Sequence, residues 1–466
     1  MSRLPASLAL ATALLAGCAP MGQRATRPTP LEATSLAGVS GEAAIPAVAD
    51  RWWQGFNDPQ LDALVEEALR ASPTIAAAEA RVGGAEALAR AARGAQSPSA
   101  NLIASVERQR LSEKGLYPPP YGGSTLNLGQ VGVEFGYELD LFGRVRAQVT
   151  AANATTSAAR GDLAAARLGV ATAVARTYLK LGRNYALADT LDAARKRRQE
   201  QLDLTEQRVR AGLDSEFETA AARAALASAE GEIASAEEDR ALLLNELAAL
   251  LGAGPGRAQA LARPAYALPA ALPLPAELPA SLVGRRPDVV AERARVESAA
   301  AAVHVAETAF YPDINLSAFA GFQSIELGSL VSAGTRTWNA GPALTLPLFF
   351  TSRLQGELGA RDADYAGAVS RYNSTVLDAF HEVADAVASL RLIERERSAS
   401  DAATAALEHA NQLALVRYRA GLANYLTVLV AEQNLLAQRR LAVDLEARRA
   451  DLAVALIRAL GGGFSS

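Results

Sequence analysis

Residues Arg208–Leu213 read RVRAGL, and 209 positions later residues Arg417–Leu422 read RYRAGL. Each hexapeptide ends a long stretch without proline, covering residues 147–210 in the first case and 353–420 in the second. Alanine is the most frequent apolar residue in both stretches and is the strongest helix former, whereas a glycine commonly ends a helix. The two hexapeptides therefore predict two hairpins of long helices, each turning sharply at its glycine.

The remainder of the chain repeats in the same order, as an internal duplication requires. Matched pairs outside the hairpins are Ser72–Ile75 with Arg286–Val289, Pro98 with Pro312, and Asn101–Leu102 with Asn315–Leu316. Each copy reads helix, strand, strand, long helix, turn, helix. We place the first copy over residues 51–252, a Pro- and Gly-rich linker over 253–286, the second copy over 287–461 and a tail over 462–466.

The predicted hairpins are much longer than a globular domain needs. At about 1.5 Å per residue, residues 147–210 alone would reach roughly 95 Å. Apolar side chains recur within them at spacings of three and four, as in Val170, Val174, Tyr178 and Leu181. This spacing is typical of helices that pack as coiled coils.

The predicted strands alternate with period two. In Val131–Leu141 one face is apolar and the other carries Glu134, Glu138 and Asp140, which suits a membrane strand whose polar face lines a water-filled lumen. Further alternating segments are Trp338–Leu348, Ile314–Phe322 and, most weakly, Asn101–Glu107. Two prolines in Trp338–Leu348 argue against a central position in a regular sheet.

The segments beside the strands also carry signals. Residues Glu107–Asn127 and Ser324–Arg336 are predicted to be external loops. Aromatic residues gather at the opposite, helix-side ends of the strands, where they would form either an interfacial girdle or ordinary core packing. These aromatic residues are Phe142, Phe310, Tyr311, Phe349 and Phe350.

The N-terminus contains the single cysteine, Cys18, directly after a short apolar run and the residues Ala16-Gly17. This arrangement resembles the bacterial lipobox and predicts a signal peptide over residues 1–17, with a lipid on Cys18 and a flexible tether over 18–50. Ala19 follows the cysteine, a pattern that resembles outer-membrane sorting. An ordinary secretory signal that happens to contain a cysteine is the alternative.

Several functional classes lack support in the sequence. The net charge is -4 from 46 basic and 50 acidic residues, so nucleic acid is not an expected partner. The three histidines, His304, His381 and His409, share no ligand spacing, and no nucleophile motif or phosphate loop occurs, so we expect no enzyme, metal or cofactor. No apolar run of transmembrane-helix length follows the signal.

Four strands per chain cannot close a barrel, because about eight is the smallest common number, and lipid does not tolerate open strand edges. If the strands span the membrane, the chain must therefore oligomerise. The predicted fold class is mixed: an α-helical coiled-coil barrel joined to a transmembrane β-barrel.

The chain resembles the TolC-like outer membrane factors, and most closely their lipoprotein branch, the NodT type. The residues that carry the resemblance are Trp52–Leu61, Arg285–Asp288, Tyr311–Ile314 and the twin Arg-Ala-Gly-Leu turns. The resemblance implies a lipid-anchored exit duct in the outer membrane, built as a homotrimer with a 12-stranded barrel and a periplasmic helical tunnel. It also implies a periplasmic adaptor and an inner-membrane pump as partners.

The resemblance also assigns roles to individual residues at the two turns. Contacts with the adaptor would involve Arg210, Gly212, Leu213, Arg419, Gly421 and Leu422. A tunnel constriction would involve Asp214, Glu216 and Glu218. Copy two has Ala423 and Val430 where relatives often carry Asp, so its contribution to the constriction stays open, as does the alternative of a periplasmic coiled-coil lipoprotein scaffold without a pore.

Overall fold

The computed structural model describes residues 26–36, 39–40, 48–268, 278–279, 281, 284–347 and 351–464. Cys18 and the aromatic pair Phe349 and Phe350 lie outside these residues. The helices and strands of copy one are α1 Pro59–Ala71, α2 Pro73–Gly94, β1 Ser99–Arg110, β2 Thr125–Leu139, α3 Arg144–Arg210 and α4 Glu216–Leu250. Those of copy two are α5 Pro287–Thr308, β3 Asp313–Ser324, β4 Arg336–Thr345, α6 Thr351–Arg419 and α7 Tyr425–Ala459.

The chain forms two compact units, and each draws on both copies. The strand unit contains residues 81–159 and 292–372 together with the N-terminal segment as far as Pro30. The helical unit contains residues 31–80, 160–291 and 373–466. None of the helices in the described part of the chain is both long and apolar enough to cross a membrane.

The strand unit contains a four-stranded antiparallel sheet in the order β1-β2-β3-β4. Strand β4, which contains Pro342, lies at an edge of this sheet, as expected for a strand that lacks one backbone donor. Beside the sheet, Val303 and Phe310 pack against Leu354 and Leu358 of α6 in a small apolar core.

Three predictions about the strands need correction. Strands β1 and β2 pair as far as Arg110 and Thr125, so the loop between them is residues 111–124 and not Glu107–Asn127. Strand β2 ends at Leu139 because the Asp140 carboxylate accepts hydrogen bonds from the backbone N–H groups of Val145 and Arg146, at 3.1 and 2.9 Å, and so caps α3. Strand β4 likewise ends at Thr345, before the predicted Leu348.

The aromatic residues at the helix-side ends of the strands differ from one another in how deeply they are buried. Phe310 is fully buried in the small core, so for this residue core packing holds and the girdle does not. Phe142 and Tyr311 stack with ring centres 4.8 Å apart, and Phe142 keeps 40% of its surface exposed. A girdle in the described residues would therefore involve this stacked pair.

The main core of the helical unit explains much of the N-terminal sequence motif. Trp52, Trp53 and Phe56 are buried there, and Asp58 begins α1 by accepting the N–H of Gln60 at 2.9 Å. The second oxygen of Asp58 accepts the hydroxyl of Tyr178 at 2.7 Å. This part of the motif is therefore structural, since it fixes α1 against the long helix α3.

Candidate functional site

Both hairpin turns adopt the same backbone conformation. Gly212 and Gly421 adopt φ of +70° and +76°, which only glycine reaches without strain. At the first turn, the N–H of Leu213 donates to the carbonyl of Arg208 at 2.9 Å, and at the second the N–H of Leu422 donates to Arg417 at 2.8 Å. These are the bonds of a Schellman cap, so the shared glycine is required by the turn itself.

The side chains around these turns are apolar and exposed. Leu213 and Leu422 expose 65% and 71% of their surface. Phe217 and Leu426, which occupy equivalent positions in the two copies, expose 68% and 53%. We call these four residues the tip surface. Sequence reasoning missed Phe217 and Leu426, although their offset of 209 could have revealed them.

Cationic side chains flank the tip surface. Arg210 and Arg419 are exposed, and no ion pair within the described residues involves either one. Solvent-facing leucine and phenylalanine beside free guanidinium groups form a surface suited to a protein partner, because interfaces combine an apolar centre with a charged rim.

Asp214 joins the two hairpins. It accepts two hydrogen bonds from Arg208 at 2.8 and 3.1 Å and one from the hydroxyl of Tyr418 at 2.5 Å. The guanidinium carbon of Arg208 also lies 4.6 Å from the centre of the Tyr418 ring. Hydrogen bonding to Arg208 holds the pKa of Asp214 below its usual value, so this carboxylate is ionised and largely buried in an internal link.

The other two acids proposed for a constriction differ in their surroundings. Glu218 bonds to the backbone and side chain of Ser215 and completes the capping box that begins α4. Glu216 is exposed and has no hydrogen bond or ion pair in the described part of the chain. Of the three acids, Glu216 is the one whose side chain has no partner in the described residues, and it is the most exposed to solvent.

We expect Asp214→Ala to lower the stability of the helical unit by about 2–4 kcal/mol, because Arg208 would keep its buried charge without a counter-ion. Circular-dichroism melting of the purified protein measures this effect, with Glu216→Ala as the exposed control. Since the pKa of Asp214 is lowered, the difference should hold at neutral pH and disappear only on acidification below its usual 3.8. Equal melting temperatures of wild type and Asp214→Ala at pH 7 would show that the link does not stabilise the fold.

The two faces of the sheet differ in chemistry. Direct register places Leu102, Val133, Ala320 and Trp338 in one row on one face. Leu102 and Trp338 each expose 78% of their surface, and Phe135 and Leu344 on the same face expose 46% and 50%. A continuous exposed apolar surface of this kind indicates a membrane or protein contact.

The opposite face carries polar and small residues. Asn101, Glu134, Phe319 and Asn339 form the row in register there. Phe319 is 7% exposed, and its ring lies over Gly132, where an added Cβ would come within 2.5 Å of it. The small residues in this alternating pattern therefore make room for an aromatic ring on the polar face.

The three acids proposed to face a lumen occupy different environments. Glu134 is exposed on the polar face. Glu138 binds Arg144 through two hydrogen bonds of 3.0 and 2.6 Å, which ties the end of β2 to the start of α3. Asp140 caps α3, as described above. Glu134 is the one acid of the three without such a partner in the described residues.

Arg27 fixes the N-terminal segment to the strand unit. Its guanidinium donates to Asp362 of α6 at 2.7 Å and to Glu307 of α5 at 2.8 Å. No group of three or more His, Cys, Asp or Glu side chains in the described residues is arranged to hold a metal ion.

Comparison with known proteins gives consistent results. The family described as "Outer membrane efflux protein" matches residues 64–253 and 278–462, one segment in each copy. The chain is 37% identical over 363 residues to the fusaric acid resistance protein FusA of Burkholderia cepacia, covering 75% of this chain and 67% of that protein. It is 31% identical over 430 residues to the multidrug resistance outer membrane protein MdtP of Escherichia coli O157:H7, covering 89% and 87%. The structure of the outer membrane protein VceC from Vibrio cholerae superposes with a TM-score of 0.84 at 39% identity, covering 90% of this chain and all of that one.

Proposed function

The chain belongs to the outer membrane efflux protein family, and from this premise we propose how it assembles and what it contacts. Its function is that of an outer-membrane efflux channel. We propose that a pump and a periplasmic adaptor deliver the substrates that leave the cell through it. The family match in both copies is the observation that carries this function. The family match also argues against a periplasmic scaffold without a pore, because the matched relatives are efflux proteins.

We propose that three chains close one barrel. The described sheet has two edges, β1 and β4, whose outer backbone groups need partners in a membrane. Three chains of four strands give 12 strands, above the approximate minimum of eight. Pairing of β4 with β1 of the next chain would satisfy both edges, and the likeness to VceC supports this arrangement.

The height of the apolar face fits a bilayer. Strand β2 pairs with β3 from Gly129 to Leu139. This length rises about 34 Å at ~3.4 Å per residue, or about 26 Å along the membrane normal at a tilt of ~40°. The apolar band of an outer-membrane barrel is about 25 Å tall. We therefore assign the apolar face to lipid and the face with Glu134 to the lumen.

We propose that the tip surface, with Arg210 and Arg419, binds the periplasmic adaptor, which connects the channel to an inner-membrane pump. The exposed apolar side chains support this role, since the turn geometry requires Gly212 and Gly421 but does not require leucine at the following positions. The free acid Glu216 is the candidate for charge at the constriction.

We further propose that residues 1–17 are removed and that Cys18 carries lipid and anchors the tether 18–50. Cys18 precedes Arg27 by nine residues, which span at most about 32 Å when fully extended. Arg27 is held on the strand unit, so its position supports an anchor close to the membrane-spanning strands.

Mass spectrometry of the membrane-extracted protein should show Cys18 as a lipid-modified N-terminus. The Cys18→Ser protein should lose this modification but still assemble, because the strands hold the membrane independently. Detection of residues upstream of 18, or of a free Cys18 thiol, in the mature protein would contradict the anchor.

The channel function is tested in a Gram-negative strain that lacks its own outer-membrane efflux channels. Because the relatives are named for fusaric acid and multidrug resistance, we propose small toxic organic compounds as substrates. Expression of the chain with a matching adaptor and pump should restore resistance to fusaric acid or to a drug panel. An oligomer that runs as a trimer before heating and as a monomer after heating, but restores resistance to none of these compounds, would argue against the proposed substrates.

A further inference from the structure

A buried polar cluster lies in the helical unit behind the tips. Glu432 on α7 exposes 2% of its surface, and Arg198 and Gln201 on α3 expose 5% and 6%. Tyr425, one heptad before Glu432 on α7, exposes 2%. At 1.5 Å per residue, Glu432 lies about 10 Å along α7 from the residue that begins the helix.

Several polar atoms of this buried cluster lack hydrogen-bond partners. Neither carboxylate oxygen of Glu432 has a hydrogen-bond partner in the described residues, and the same holds for the hydroxyl of Tyr425 and the side-chain oxygen of Gln201. Arg198 approaches Glu432 only to 3.9 Å, and its Nη1 donates instead to the carbonyl of Ala225 on α4 at 2.8 Å. Buried polar groups are normally paired, so a carboxyl with two free oxygens requires an explanation.

The groups around Glu432 do not supply a close counter-ion. The titratable and polar groups that face it or its immediate neighbours lie on three helices. They are Arg197, Arg198, Glu200 and Gln201 on α3, Tyr418 and Glu408 on α6, and Tyr425, Arg439 and Arg440 on its own helix. Arg440 is paired with Glu232 of α4. Glu408 is already paired with Arg439 at 2.5 Å. Burial outweighs the attraction of Arg198 and Arg197 and the approach of the Gln201 side chain, and it raises the pKa of Glu432 above its usual 4.5.

The cluster adjoins the apolar core that holds the four tip helices together. That core contains Leu202 of α3, Ala222 of α4, Tyr418 of α6, and Tyr425 and Val428 of α7. Tyr418 also donates to Asp214 in the link between the hairpins, and its ring centre lies 5.8 Å from that of Tyr425. A change in packing around Glu432 would therefore shift Tyr425 and Tyr418, and with them the hydrogen bond between Tyr418 and Asp214 at the tips.

We propose that Glu432 is a proton-responsive element that sets how closely the tip helices pack. A proton on its carboxyl favours the close packing of α7 against α3 described above, which we take as the closed state of the proposed channel, because a neutral group tolerates burial far better than a charged one. Without the proton, the carboxylate requires water, and water enters only if α7 separates from α3. Closing thus takes up a proton and opening releases it. The inference rests on the channel function proposed above.

The test compares wild type with Glu432→Gln, which imitates the protonated carboxyl at every pH, and with Glu238→Gln, an exposed control on α4. In planar bilayers between pH 5 and pH 8, the ratio of open to closed channels in wild type should rise with pH, by up to about tenfold per unit for each Glu432 that releases its proton on opening. Glu432→Gln should stay mostly closed with no pH dependence, and Glu238→Gln should follow wild type.

Thermal melting gives an independent measurement on the same proteins. A folded-state pKa above the unfolded value means that stability falls as pH rises through the folded pKa. Wild type and Glu432→Gln should therefore melt together near pH 5, and wild type should melt at the lower temperature near pH 8. Parallel melting curves across this range, or an unchanged pH dependence of opening in Glu432→Gln, would overturn the proposal. If no protein conducts, the channel function fails, and melting alone decides the role of Glu432.

Discussion

In cells that produce the Val133→Arg protein, the heat-sensitive trimer band should be missing from the outer membrane. Val133 lies in the apolar row between Leu102 and Ala320, near the middle of the strands. An arginine at that depth on a lipid-facing strand costs about 2–4 kcal/mol per chain. A trimer contains three such sites, so the total cost approaches the whole stability of a typical folded domain.

Glu134→Gln is the matched control, because it lies next to Val133 but on the polar face. It should assemble to the wild-type level, since the change keeps the size of the side chain and only removes a charge from the polar face of the sheet. Leu344→Arg, on the apolar face of the edge strand β4, should fail like Val133→Arg. If all three variants assemble equally well, the assignment of the two faces is wrong.

Replacing both Leu213 and Leu422 with Asp should abolish export while leaving the trimer in the outer membrane. Each leucine is more than half exposed, so the fold loses little. Full burial of a leucine by a partner contributes about 1.5–3 kcal/mol. In the proposed trimer, three chains with two turns each would present six such sites, and losing all of them would remove the multivalent contact. Resistance conferred by the complete efflux system measures this loss.

The control for this double variant is Leu116→Asp. Leu116 is 91% exposed in the loop between β1 and β2, and its replacement should leave export unchanged. Gly212→Pro should instead disturb the turn itself. Proline cannot reach a φ of +70°, and it has no N–H to donate to the carbonyl of Val209. Site-directed crosslinking from positions 213 and 422 to the adaptor completes the test. Normal export by the double variant, without crosslinks, would place the docking surface elsewhere.

The sequence predicts the elements of this fold where a single physical preference dominates. The alternation in Val131–Leu141 reflects one apolar face, and strand β2 follows from it. The absence of proline in 147–210 and the glycine at 212 predict α3 and its end to within a few residues. The same alternation continues through Asp140, however, so only the hydrogen bonds of the folded chain reveal that this residue caps a helix.

The candidate site was less predictable because its contacts join distant positions. Asp214 was predicted to contribute to a tunnel constriction, and its hydrogen bond to Tyr418 was not foreseen because these two residues lie 204 positions apart in the sequence. Phe310 illustrates a second difficulty. An aromatic residue near the end of a strand suits either a girdle or a core, and the packing of α6 decides between them.

The link at the tips also makes the two copies unequal. Val209 stands in copy one at the position that corresponds to Tyr418 in copy two, and Ala423 stands in copy two at the position that corresponds to Asp214 in copy one. Each copy therefore supplies one of the two groups that form the bond, the acid from copy one and the phenol from copy two. The two halves are not interchangeable, and a gene that encodes either half twice would lack this bond.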